Sequence, residues 1–113
     1  MLPILTVDCV TINAQDPAAL AGFWAQLLGG VPQDAGNSFV LLDPGAGRTR
    51  LLFQRTDHPT PEPGWIHLDC STDDRDAAVA TITQLGGRLV ERRSDSHGAW
   101  IVMADPEGNP FCI

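Results

Sequence analysis

The chain has 113 residues, is 43% hydrophobic and 19% charged, and carries a net charge of −7. That is one domain or two very small modules, with enough chain for a core that needs no staples. No apolar run approaches the ~20 residues of a membrane span, and the acidic balance argues against nucleic-acid and anionic-membrane partners.

Three cysteines, Cys9, Cys70 and Cys112, are odd in number, widely spaced and without a CxxC. They argue against a disulfide framework or a zinc ribbon and fit a reducing compartment. Residues 1–12 carry no basic stretch ahead of an apolar one, so no export signal is expected and the location is expected to be cytoplasmic. All seven basic residues are Arg, and Lys and Tyr are absent. This removes a lysine Schiff base and a tyrosine acid or base. With the many Ala, Gly and Pro it points to a GC-rich bacterial source.

Residues 8–13 alternate, which predicts a strand. Val10 and Ile12 fall on one face; Cys9, Thr11 and Asn13 fall on the other. Asp16 suits a helix N-cap and Pro17 the first helical position. Leu20, Phe23, Trp24, Leu27 and Leu28 form an apolar stripe, and Gly29 stops the helix. A short strand is expected near Val31. Residues 38–44 predict a strand running into an Asp-Pro turn, and residues 50–54 a last strand. Residues 56–64 hold three prolines and read as a stiff linker.

The same order then recurs. Residues 65–71 alternate, with Leu68 and Cys70 toward the helix and His67, Asp69 and Ser71 on the other face. Asp73 is the expected N-cap, Ala78, Val79, Ile82 and Leu85 the buried stripe, and Gly86 the stop. A short strand follows over 88–91, a longer one over 100–106 into a second Asp-Pro turn, and a last one over 109–113. The domain is therefore expected as module one (4–55), linker (56–64) and module two (65–113). Each opening strand has one polar face. Two such faces curving toward each other would line a shared cleft, the default place for a ligand.

The repeated plan, Asp16-Pro17 with Phe23-Trp24 and Leu28-Gly29-Gly30, His67-Leu68-Asp69, and the ending from Met103 through Asp-Pro-Glu-Gly-Asn to Cys112 resemble the vicinal oxygen chelate superfamily. That group includes glyoxalase I, bleomycin-resistance proteins and extradiol dioxygenases. The likeness is greatest to its small bacterial glyoxalase-like members and covers nearly the whole chain. It implies an α+β fold of two βαβββ modules related by an internal pseudo-twofold. Curved mixed sheets would form a cleft, and a homodimer often completes the assembly.

The resemblance also implies four metal-ligand positions, one on each first and last strand, because a Lewis-acid metal needs open positions for two vicinal substrate oxygens. Carried onto this chain, they fall on Cys9, Leu52 (Leu51 if the register slips), His67 and Cys112. Only His67 matches the enzymes' residue type. No cofactor is therefore expected, with zinc on Cys9, His67 and Cys112 left open as an alternative. The expected ligand-binding residues are Cys9, Thr11, Leu52, Gln54, His67, Asp69, Trp100 and Cys112.

Asp69 reads as a solvated strand residue, with orienting the His67 imidazole or acting as a base as the alternatives. Trp24 belongs to the core, and Trp100 is either core or a stacking surface. His58 and His97 read as surface residues. Arg50, Arg55, Arg92 and Arg93 form no compact basic motif, and neither a GxGxxG nor an HExxH is present. The expected function is binding of a small organic molecule without the family's usual metal. Partners are that ligand and a second copy of the chain, with no nucleic acid and no membrane. The alternatives are a metal-dependent lyase or dioxygenase, and a structural dimerisation module with a vestigial cleft.

Overall fold

The structure, a computed structural model, describes residues 7–57, 67–96 and 98–113. The chain divides into two compact units, Met1–His58 and Pro59–Ile113. The first runs β1 (Val10–Ala14), α1 (Pro17–Leu28), β2 (Gln33–Gly36), β3 (Phe39–Leu42) and β4 (Leu51–Arg55). The second repeats it as β5 (Leu68–Asp69), α2 (Arg75–Gln84), β6 (Arg88–Asp95), β7 (Gly98–Ala104) and β8 (Pro110–Cys112). Each unit is one four-stranded mixed sheet with one helix, in strand orders β1-β4-β3-β2 and β5-β8-β7-β6. The first pair of each sheet is parallel and the rest antiparallel.

In the first unit, Asp16 caps α1 by accepting from the Ala19 N–H at 3.1 Å, with Pro17 just inside the helix. Leu20, Ala21, Phe23 and Trp24 are buried, and the Phe23 and Trp24 rings meet edge to face at 5.4 Å. Leu42, Leu51 and Phe53 supply the sheet's share of this core.

The second helix starts at Asp74, not Asp73. Asp74 Oδ1 accepts from the Ala77 N–H at 3.0 Å. Several aspartates in a row all satisfy a capping rule, and only the backbone phase selects among them. The change brings the two units into step, since the first-strand positions Cys9 and His67 now stand equally far ahead of their caps.

Ile82, Ile101, Met103, Ala104, Phe111 and Ile113 form the second core. Of the predicted α2 stripe, Ile82 is buried while Ala78, Val79 and Leu85 are half-buried. The chain end is tied in, because Ile113 and Ile101 exchange both backbone hydrogen bonds.

Both helices run into Leu-Gly-Gly, and the second glycine has a packing reason. A Cβ on Gly30 would sit 2.6 Å from the Asp43 carbonyl oxygen; one on Gly87 would sit 2.6 Å from Ile82 Cγ2 and 2.9 Å from the Ala104 carbonyl oxygen. The helix exit thus touches the end of the central strand in each unit, and only glycine allows it.

The Asp-Pro turns also recur. Asp105, 2% exposed, accepts from the Glu107 and Asn109 N–H groups and from Asn109 Nδ2. In the first unit, Asp43 accepts from the Gly45 N–H.

Other expectations are corrected. Val31 lies ahead of its strand, which begins at Gln33, and is 75% exposed. The strand expected over 88–91 continues to Asp95, carried by its hairpin pairing with β7. β7 itself begins at Gly98 and ends at Ala104. The ladder of the second opening strand ends at Asp69, so alternation lapses at Cys70, which lines the open side of the sheet rather than facing the helix. His58, Trp65, His97 and most of the predicted linker lie outside the described residues.

Candidate functional site

Pairing in the second sheet places Asp69 beside Cys112, Cys112 beside Val102, and Val102 beside Glu91. These four residues form one row across β5, β8, β7 and β6. Alternation puts them on the face opposite Phe111, Ile101 and Met103, which are buried. Trp100 pairs with Arg93 in the neighbouring row. An extra residue in β6, Val90, breaks the register between Leu89 and Glu91. Beyond that bulge Glu91 and Arg93 point to the open face, while Arg92 reaches Asp76 of α2 at 3.6 Å.

The result is an open cavity of about 650 Å³. Its floor is apolar, with Val90, Trp100, Val102 and Pro110. One edge carries His67, Asp69, Cys70 and Cys112; the other carries Glu91 and Arg93.

At the first edge His67 Nε2 lies 3.1 Å from Asp69 Oδ1. A carboxylate at this distance from one ring nitrogen fixes the imidazole's orientation. Desolvation, followed by the Asp69 charge, pushes the Cys112 thiol up, against a smaller lowering by Arg93. Burial first, then Asp69 and Cys112, pushes the Cys70 thiol up as well. Both are thiols, not thiolates, at neutral pH. At the second edge Arg93 Nε and Nη2 contact Glu91 Oε2 at 2.9 and 2.8 Å, and this hydrogen bond raises the guanidinium pKa further.

The predicted residues fall on both units. His67, Asp69, Trp100 and Cys112 converge on this cavity. Thr11, Leu52 and Gln54 lie on the first unit's sheet, with Thr11 beside Leu52 and both flanking neighbours of Leu52, Leu51 and Phe53, buried on the other face. Leu52 therefore shares a face with Thr11, and Leu51 lies on the buried face. Cys9 stands half-buried just ahead of β1, and all three cysteines are free thiols.

Sequence reasoning missed Glu91, Arg93 and Val90. The run from Arg88 to Asp95 has no apolar–polar alternation beyond its start. The signal lay in the partner strand, whose alternating length through Trp100 demands an equally long hairpin mate.

Residues 9–113 match the family described as the glyoxalase-like domain. The chain belongs to that family. It is similar to a glyoxalase/bleomycin resistance protein/dioxygenase family enzyme from Burkholderia phytofirmans PsJN, at 20% identity over 94% of each chain and a TM-score of 0.73. A glyoxalase family protein from Enterococcus faecalis is 21% identical over 96% of each chain, with a TM-score of 0.70. A bleomycin resistance determinant encoded on the transposon Tn5 is 16% identical over 96% of this chain and 95% of that one, with a TM-score of 0.64. No curated protein matches the chain. At these identities the likeness establishes the glyoxalase/bleomycin-resistance fold and, with the family match, the vicinal oxygen chelate superfamily.

The four ligand positions that the resemblance implies do not fit a four-ligand metal here. Leu52 offers no lone pair, and Cys112 replaces a hard carboxylate with a soft thiol. Only Cys9, His67 and Cys112 of that set carry donors.

Proposed function

We propose that this chain binds a small organic molecule with a flat apolar body on the open face of its second sheet, without the family's four-ligand metal. The observation that carries this reading is the layout of the cavity. Apolar Trp100, Val102 and Pro110 lie between two polar edges, His67–Asp69 and Glu91–Arg93. Neighbouring strands lie about 4.8 Å apart, so edges three strands apart are separated by roughly 14 Å. That span suits a ligand of two or three fused or linked rings with a polar group at each end. An apolar pocket with a few placed polar groups is the usual form of a small-molecule site. The proposed setting is the cytoplasm and the proposed assembly a homodimer. Val7 and Val31 in one unit, and Leu89 and Val90 in the other, leave apolar surface exposed.

The test is a thermal-shift screen of aromatic and heteroaromatic compounds in the presence of EDTA. A ligand that binds only the folded state at 100 times its Kd stabilises by about 2.7 kcal/mol. A hit is expected to lose at least tenfold in affinity in Trp100→Ala. Hits indifferent to both Trp100→Ala and His67→Ala, or no hit at all, would sink the reading. Light scattering at micromolar concentration checks the assembly: a mass near 12.1 kDa would refute the homodimer.

A further inference from the structure

The donor set that fails as a four-ligand centre contains a different one. His67, Asp69 and Cys112 each offer one ligand atom, and these atoms lie within 4.8 Å of one another. The three come from one sheet edge. His67 and Asp69 stand two residues apart at β5, and Cys112 is the register partner of Asp69 on β8. All three open onto the cavity. We propose that His67, Asp69 and Cys112 form a three-residue site for a thiophilic divalent cation, zinc in the first instance, built wholly on the second unit.

The geometry is close to what such a cation needs. Zinc takes imidazole nitrogen and carboxylate oxygen at about 2.0–2.2 Å and thiolate sulfur at about 2.3 Å, in a tetrahedron. Two ligands at those lengths are about 3.3 Å apart when one is nitrogen and one oxygen, and about 3.6 Å apart when one is sulfur. The His67 Nε2 to Asp69 Oδ1 distance is 3.1 Å. The third ligand has to close by about an ångström at most. The His67 and Asp69 side chains, 44% and 79% exposed, have the freedom to do so.

Donor chemistry selects the ion. Imidazole, carboxylate and thiolate together favour zinc over magnesium, manganese or calcium, which take oxygen. Three protein ligands leave a fourth tetrahedral position, the arrangement of zinc sites that receive an exogenous group. Val102, the register partner of Cys112, lines the same cavity. His67 and Cys112 stand at two of the positions that the resemblance implies as ligands and Asp69 does not, so this set differs by drawing its third donor from the second unit's own opening strand.

The experiment uses the tag-free full-length chain, stripped with EDTA and titrated with cobalt and with zinc. One equivalent of cobalt is expected to bind and to show a thiolate-to-cobalt charge-transfer band in the near ultraviolet. Cys112→Ser is expected to abolish that band. Asp69→Asn and His67→Ala are each expected to weaken zinc at least tenfold in competition against a chromophoric chelator. Cys9→Ser and Cys70→Ser are expected to keep both the band and the affinity. Circular dichroism of each metal-free variant confirms the fold. Failure to bind one equivalent, a band that survives Cys112→Ser, zinc affinity unchanged in Asp69→Asn, or loss of the band in Cys9→Ser would each overturn the proposal. Ligand screening in EDTA is read separately, so this site and the small-molecule reading stand or fall apart.

Discussion

In the first unit α1 buries Leu20, Ala21, Phe23 and Trp24, whereas in the second α2 buries Ile82 alone. The open faces differ in the opposite sense. The row across the first sheet is Thr11, Leu52, Leu41 and Gln33; the equivalent row across the second is Asp69, Cys112, Val102 and Glu91. Position for position, the first row has no titratable group and the second has three. One backbone plan, with a register shift in both β2 and β6, therefore places its aromatic helix packing in one copy and a row of titratable groups in the other. A duplicated module can diverge this way because strand register fixes where a side chain points, while the residue at that point is free to change.

The largest expected effect tests the packing half of this contrast. Trp24→Ala removes a fully enclosed indole from the first core and is expected to cost about 3–5 kcal/mol. Val79→Ala, on the half-buried face of α2, is expected to cost about 1 kcal/mol. Urea denaturation followed by circular dichroism measures both. Equal costs would mean that the two helices are equally committed to their sheets.

The Asp-Pro turns give the next contrast. Asp105→Ala leaves the Glu107 and Asn109 N–H groups without their buried acceptor, at an expected cost of about 2–3 kcal/mol. Asp43→Ala removes one exposed bond to the Gly45 N–H and is expected to cost under about 1 kcal/mol. A shift in urea midpoint as large for Asp43 as for Asp105 would refute the view that burial, not the turn motif, sets the value of this aspartate.

These turns also mark what the sequence made legible. The Asp-Pro signals, the Leu-Gly-Gly exits and the strand–helix–three-strand order are local: each is set by residues within one turn or one strand, and each was readable. So was the polar face carrying His67 and Asp69, because alternation is local too. The cavity's second edge was not. Glu91 and Arg93 reach the open face only because a bulge at Val90 resets the register of β6 against β7, and a bulge is decided by pairing across strands. The convergence of Cys112 on Asp69 is likewise a register fact between residues far apart in sequence. The helix start slipped from Asp73 to Asp74 for a smaller reason, that adjacent aspartates cap equally well on paper.

The glycines sharpen the likeness between the units. Gly87→Ala drives a methyl into Ile82 and the Ala104 carbonyl, and Gly30→Ala drives one into the Asp43 carbonyl at a positive φ. Each is expected to cost about 1–3 kcal/mol. Gly22→Ala, with nothing near its Cβ and a place inside α1, is expected to stabilise by about 0.5–1 kcal/mol. Thermal melting orders the three. A neutral Gly87→Ala would show that the helix exit of the second unit is loose and that only the first is held by close backbone approach.

The smallest effect on stability is expected at the second edge of the cavity. The Glu91–Arg93 pair is solvent-exposed, and such pairs add little to folding because water already solvates both charges well. Arg93→Gln is therefore expected to leave the melting temperature unchanged within error. Its effect is expected in binding instead. Removing the guanidinium leaves the Glu91 carboxylate unpaired on the floor's rim, so a ligand bearing an anionic group at that end should lose at least tenfold in affinity, and one bearing a cationic group should gain. The Gln33 position of the first sheet is the matched control: Gln33→Ala should change neither melting temperature nor binding. If Arg93→Gln moves the melting temperature and leaves every ligand untouched, the second sheet's polar row is part of its stability, and the division between a packing unit and a binding unit fails.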